Sequence, residues 1–316
     1  MATSGTSAYA SSTLDIITES LELLGVLGEG ESPTAAQITS MKRTLNNLCK
    51  AWQADGLNIF AVQPVYLFLD GNSTEYDLYY GSSAYFTNSY VVDTLTAATA
   101  SGGNTAVVAD SAGFTIGGKV VISLPSGASH FATVTNVAAN LVTFSPVLPE
   151  DTAIGGLVYG YTTQGSQPMQ VMNAWMRNHT TETSYNDLPI TLISRQEYSE
   201  FSIKNSVGAT TQLQVEPQRT TTKLRVWPIG NGSNEMIGMY VQRRLDTFVS
   251  DADEPDYPQE WFLALTYNLA VASMAKYGNP NTDFSRISSL AMMYYEQAQG
   301  FDKELYTSVT LEPRFY

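Results

Sequence analysis

Hydrophobic periodicity changes twice along this chain, from helical spacing to alternation at Val62 and back to helical spacing at Asp256. A pattern of one period cannot serve as the other element, so this double switch restricts the fold more than any motif does. At the start, Ser12 with Asp15 resembles a capping box, and Leu14, Ile17, Leu21 and Leu24 recur at helical spacing until Gly25 and Gly28. Ser32-Pro33 then sets an N-cap and first helical position, and Ile38, Met41, Leu45, Leu48 and Trp52 form one apolar stripe that stops at Asp55-Gly56. Two such helices joined by a Gly-rich turn predict a helical hairpin.

From Val62, VQPVYLFL and EYDLYY alternate on either side of Asp70-Gly71-Asn72 and predict paired strands with a turn. Between Val91 and Thr163 the runs AVVA, GKVVISL, HFATVTNV, NLVTF and GLVYGY are short and broken by Gly, Asn or Pro. That spacing suits a small barrel or sandwich, so residues 91–163 are expected to be an inserted all-β module. PITLISRQEYSEF, TQLQVEPQ, TTKLRVWPI and MIGMYVQRRL read as further strands. Asp256 and Pro258 open a helix from Trp261 to Tyr277 that is apolar almost all round, the expected centre of the main domain. Asp283 caps another, carrying Ile287, Leu290, Met293, Tyr294 and Ala298.

The expected class is therefore α+β: a helical core domain from the N-terminal hairpin and two C-terminal helices, with strands attached and the β module inserted. The core is expected to span residues 1–90 and 164–300. Residues 301–316, FDKELYTSVTLEPRFY, carry too little apolar surface to fold alone and are expected to be an extended tail ordered by docking.

Composition bears on partners. Charged residues make up 15% of the chain, well below the usual quarter, so its polar surface is cheap to desolvate and suits subunit contacts. The formal charge of −14 opposes binding that neutralises DNA phosphates. The lone cysteine, Cys49, has no disulfide partner within the chain and sits in a helical pattern, where it reads as a small buried apolar side chain. The start, MATSGTSAYASST, lacks the basic and apolar regions of a signal peptide, and no apolar run approaches the roughly twenty residues of a membrane span. Synthesis and folding in a cytosol, without membrane contact, are expected.

Chemistry is thinly represented. The two histidines, His130 and His179, have no second ligand at metal spacing, and no phosphate loop, nucleophile elbow or calcium loop appears; no catalytic residue, metal or cofactor is expected. Gly25-Val26-Leu27-Gly28-Glu29-Gly30 lies between helices, whereas phosphate loops follow a strand. Glu19, Glu22, Glu29 and Glu31, and Asp251, Asp253, Glu254 and Asp256, are the acidic groups a wall-degrading glycosidase could use, although solvated faces and caps explain them more simply. Tyr76, Tyr79, Tyr80, Tyr85, Phe86 and Tyr90 crowd one stretch, but no Lys or Arg lies between Lys50 and Lys119, so packing or subunit contact is expected rather than base stacking.

Three segments together resemble the head-to-tail adaptors of short-tailed phages, also called tail accessory factors or head-completion proteins. They are IITESLELLGVLGEGESPTAAQITSMKRTLNNLCKAWQADGLNIF, TTKLRVWPIG, and YVQRRLDTFVSDADEPDYPQEWFLALTYNLAVASMAKYGNP. The resemblance covers about the first sixty residues and residues 221–300. It implies a structural, non-enzymatic subunit of the virion head-tail junction, assembled in the host cytoplasm into a homo-oligomeric ring of about twelve copies. Such a ring docks beneath the portal protein, helps retain packaged double-stranded DNA that passes without sequence-specific binding, and carries the tail hub or nozzle and the tail fibre or spike proteins. The tail, with Leu311, Phe315 and Tyr316 as apolar anchors beside Arg314, is the counterpart of a portal-binding segment. The β module leaves a second reading open, an exposed receptor- or carbohydrate-binding part of the particle.

Overall fold

Reciprocal caps decide where the first two helices begin. In the computed structural model, which describes residues 9–55, 59–79, 85–162, 165, 167–230 and 234–302, the Ser12 hydroxyl accepts from the Asp15 N–H. The Ser12 N–H donates back to the Asp15 carboxylate at 2.9 Å, opening α1 (Thr13–Leu23). Gly25, at φ +68°, turns the chain out of the helix. The second helix, α2 (Ala35–Asp55), begins later than Ser32-Pro33 predicts. Thr34 and Gln37 form the box there, with the Thr34 N–H donating to Gln37 Oε1 at 2.7 Å, so Thr34 is the cap.

The remaining elements are, in chain order, β1 (Val62–Phe68), β2 (Glu75–Tyr79), β3 (Phe86–Thr87), β4 (Val91–Thr94), β5 (Thr105–Val107), β6 (Lys119–Ser123) and β7 (Ser129–Ala138). After them come β8 (Leu141–Ser145), β9 (Leu157–Tyr161), β10 (Pro168–His179), β11 (Tyr185–Ile193) and α3 (Arg195–Glu200). The chain ends with β12 (Gln212–Pro217), β13 (Thr221–Trp227), β14 (Glu235–Arg243), α4 (Phe262–Tyr277) and α5 (Phe284–Phe301). Contacts divide it into two units, residues 1–61 with 245–316, and residues 62–244.

In the first unit α4 packs against α1, α2 and α5. Ile17, Leu21, Met41, Leu45, Trp261, Leu265 and Leu269 are fully buried there, each such aliphatic side chain contributing about 2 kcal/mol of apolar burial. The loop before α4 also caps α1: the Thr13 and Leu14 N–H groups donate to the Asp253 and Asp251 carbonyls at 2.8 and 3.0 Å. On α5, Ile287, Ala291 and Ala298 are buried while Met293 faces solvent.

The second unit holds two sheets. An eight-stranded sheet runs β2-β13-β12-β11-β10-β14-β1-β3, antiparallel except for the β11–β12 pair, which α3 connects. Side chains from its edge strands, Leu78 and Phe86, join the same apolar cluster as the central Met176, Ile237 and Met239, so the sheet curls round its own core. On the opposite face of β2, β13 and β12, register sets Lys223 against Asp77 and Glu216, and Arg225 against Glu75. Salt bridges follow, Lys223 to Glu75 at 2.6 Å and Arg225 to Glu216 at 2.7 Å.

The six-stranded sheet runs β4-β9-β6-β7-β8-β5. Its two end strands meet through a Leu95–Val108 bridge and the Thr96 N–H donating to the Val107 carbonyl at 2.9 Å, which closes it into a barrel. Val120, Ile122, Val134, Val142, Phe144 and Val158 fill the interior. The buried Asp93 carboxylate stitches the closure, accepting from the Thr94 and Asp110 N–H groups, each at 2.6 Å.

These sheets correct the expected helical core with strands attached and a small β module inserted. The described chain is mostly β, with sheets of eight and six strands against five helices. Two local expectations also differ from the structure. The segments VQPVYLFL and EYDLYY do not pair with each other: β1 pairs with β14 and β3, while β2 pairs with β13. Asp70 turns the chain away, its Oδ1 accepting from the Asn72 and Ser73 N–H groups at 2.9 and 2.8 Å. And β10, at the middle of the larger sheet, was not foreseen, because register shifts at Pro168/Gln170 and Val171/Asn173 break its alternation.

Candidate functional site

Helical spacing sets Asp15, Thr18, Glu19 and Glu22 on one side of α1. With Leu14, and with Glu31, Pro33 and Ile38 from the turn and α2, they line a groove of about 610 Å³. Glu31 also holds the turn, Oε2 accepting from the Gly28 N–H at 2.9 Å. Burial, then the neighbouring Glu22 charge, raises the Glu19 carboxyl above its ordinary range. The groove therefore joins Glu19, Glu22 and Glu31 of the acidic candidates, on an apolar floor; Glu29 is exposed outside its lining.

Three of the second acidic set, Asp251, Asp253 and Asp256, are absorbed by local structure, and Glu254 is exposed. Asp253 Oδ2 accepts from the Val249 and Ser250 N–H groups at 2.7 Å each, which lowers its carboxyl, and Asp256 Oδ2 accepts from the Asp246 N–H at 3.0 Å. Asp251 pairs with Lys42 at 2.5 Å. These groups hold the loop that caps α1.

A third cluster, which the sequence did not single out as a group, lies where the barrel meets the larger sheet. Arg177 and His179 alternate on one face of β10, and antiparallel register sets Asp187 and Tyr185 of β11 opposite them. The Arg177 guanidinium grips Asp187 with two bonds, Nε to Oδ1 at 2.8 Å and Nη2 to Oδ2 at 2.7 Å, which holds its pKa above the ordinary arginine value. Its face lies 3.8 Å from the Tyr185 ring centroid and 5.5 Å from that of Tyr66. Nη1 donates to the Tyr90 hydroxyl at 3.3 Å, and that hydroxyl meets His179 Nε2 at 3.1 Å. His179 Nδ1 faces the Thr181 carbonyl at 3.4 Å. The imidazole is 3% exposed, and desolvation by burial lowers its pKa. The cluster was hidden because strand pairing and the β3–β4 connection bring its members together from distant segments; the Arg177/His179 alternation is the one local sign.

Of the crowded tyrosines, Tyr76 is buried, Tyr85 packs on Phe131 at 4.4 Å, Phe86 is in the sheet core and Tyr79 is exposed, while Tyr80 lies outside the described residues. His130 is buried in the barrel with Nε2 at 3.1 Å from the Pro146 carbonyl. Burial pushes the Cys49 thiol up to about 12. Among the described residues no three His, Cys, Asp or Glu side chains are placed to hold a metal ion, and no helix is long and apolar enough to cross a membrane. Leu311, Arg314, Phe315 and Tyr316 lie outside the described residues; the segment expected to be a tail begins inside α5, which runs through Phe301. No protein-family model matches the chain, and no curated protein matches it.

Proposed function

We propose that the chain is a structural connector subunit of a short-tailed phage particle, a head-to-tail adaptor of the virion junction. One observation carries this reading: two of the stretches behind the resemblance, far apart in sequence, fold into a single unit. The DADEPD loop supplies the carbonyls that cap α1, and Tyr257 and Trp261 pack on Trp52 of α2. A motif shared by distant segments gains weight when those segments build one another. The sparse charge of the chain and its net charge of −14 suit subunit contact and a channel that DNA passes without sticking.

On this reading a ring of copies docks under the portal protein and carries the tail hub and fibre or spike proteins. Residues 303–316 bind the portal by ordering on it, with Leu311, Phe315 and Tyr316 as anchors. Deletion should start at Lys303, because Asp302 Oδ1 accepts the Phe60 N–H at 3.1 Å and belongs to the helical unit. The truncated protein should keep its circular dichroism and melting temperature and lose co-sedimentation with the portal protein. Co-sedimentation equal to the full chain's would reject the tail's role.

A further inference from the structure

We propose that the Arg177–Tyr90–His179 relay is a pH-sensitive latch, holding the six-stranded barrel against the eight-stranded sheet while His179 is neutral and loosening it when His179 takes a proton. The relay spans the seam between the two sheets of one unit. Arg177 and His179 belong to β10 of the larger sheet, and Tyr90 leads into β4 of the barrel. Around them Phe68 and Met236 from the larger sheet pack with Tyr159 and Tyr161 of β9.

Proton counting makes the relay one-directional. With the imidazole proton on Nδ1, facing the Thr181 carbonyl, Nε2 offers a lone pair to the Tyr90 O–H, and the Tyr90 oxygen accepts from Arg177 Nη1. Each group then has a role. A proton on Nε2 turns that acceptor into a donor, so the bond across the seam reverses onto the Tyr90 oxygen, which already accepts from Arg177, and the Tyr90 O–H swings away without its acceptor. The Tyr159 hydroxyl is already buried without a partner, and a second buried orphan adds to that cost.

Of the two facing charges, Arg177 opposes the added cation more strongly than Asp187 favours it. Arg177 is already present on β10, and the carboxylate that faces the site, Asp187 of β11, has both oxygens on that guanidinium. Tyr185 from β11 and Tyr159 and Tyr90 from the barrel side present rings to the imidazole, at centroid distances of 5.4, 5.6 and 6.0 Å. On β14, Glu235 follows Asn234, whose carbonyl accepts the His179 N–H, but its carboxylate lies beside Gly230. Glu182, in the β10–β11 turn, is exposed. A histidine whose folded pKa lies below its ordinary 6.5 contributes fully above pH 6.5, and that contribution is lost as pH falls through the folded value.

His130 and His179 are the two histidines of the chain, so imidazole resonances of the full-length labelled protein can be followed individually, with His179→Gln as the assignment control. His179 should titrate below 6.5, and amide exchange in β4 and β9, corrected for intrinsic pH dependence, should accelerate by up to about tenfold per unit between pH 6.5 and that pKa and level off below it. His179→Gln, which cannot protonate, should abolish the acceleration; if it does not fold, Tyr90→Phe, which removes the relay's middle hydroxyl, should move the His179 titration toward 6.5. Titration of His179 at or above 6.5, or β4 and β9 protection unchanged across its titration, would overturn the latch.

Discussion

The helical unit and the seam between the two sheets are both built from aromatic rings, yet they are closed by different physics. Around Trp261, the rings of Trp52, Phe60, Tyr257 and Tyr295 lie 5.5–6.0 Å away, and the Tyr257 hydroxyl reaches the Cys49 carbonyl at 3.4 Å without entering a charged network. At the seam Phe68 stacks on Tyr161 at 5.3 Å, but the ring cluster runs into an arginine, a carboxylate and a histidine. Rings alone give a core that is stable wherever the chain is folded. Rings threaded by a donor relay fix one docking geometry and tie it to a protonation state, at the cost of desolvating charge.

The contrast can be broken by mutation. Trp261→Ala removes the ring that touches Trp52, Phe60, Tyr257 and Tyr295 and should destabilise by about 4 kcal/mol in chemical denaturation, with amide protection lost first in α1 and α4. A loss near 1 kcal/mol would mean that Trp52 and Phe60 close the cavity and the cluster is more plastic than its burial suggests. Asp187→Ala should cost less, about 2 kcal/mol, because it leaves the Arg177 guanidinium without its bidentate partner at a side chain only 13% exposed. That exceeds the small effect expected for the more open, solvent-screened Lys223–Glu75 pair. Equal effects at the two pairs, measured in the same denaturant series, would remove the distinction between seam and surface.

Legibility in the sequence followed how local each interaction is. The Ser12–Asp15 box and the apolar Trp261–Tyr277 stretch are written within one helix, and α1 and α4 lie where they point. The Ser194–Glu197 box is just as local, but it sits inside the alternating run PITLISRQEYSEF, and the strand reading hid the short helix α3. Pairing partners were less legible. Nothing near Val62 specifies that β1 lies beside β14 and not β2, and the bulges in β10 shift its buried positions from a spacing of three, Val171 to Ala174, to a spacing of two, Ala174 to Met176. The seam needed both pairings, so Tyr90, Arg177, His179 and Asp187 stayed separate residues until the sheet was assembled. The groove is intermediate: Glu19 and Glu22 share a helix face, but Glu31 joins them only through the turn.

Titration separates the two regions most finely. Glu19 sits at the helical unit's surface with its carboxyl raised by burial and by Glu22, so the fold favours its neutral form and carries a small penalty at pH 7. Glu19→Gln should therefore raise the melting temperature at pH 7 by about 1 °C, an effect that shrinks as pH falls through the raised pKa and Glu19 itself becomes neutral. The seam behaves oppositely, since acid adds the charge that its buried histidine excludes. Mild acid should thus relieve the helical unit and strain the sheet junction, and melting curves of wild type and Glu19→Gln at pH 7 and pH 4 read the first half of that opposition. A lower melting temperature for the variant at pH 7 would mean that the charged form of Glu19 stabilises the fold, reversing the sign assigned to the acidic face.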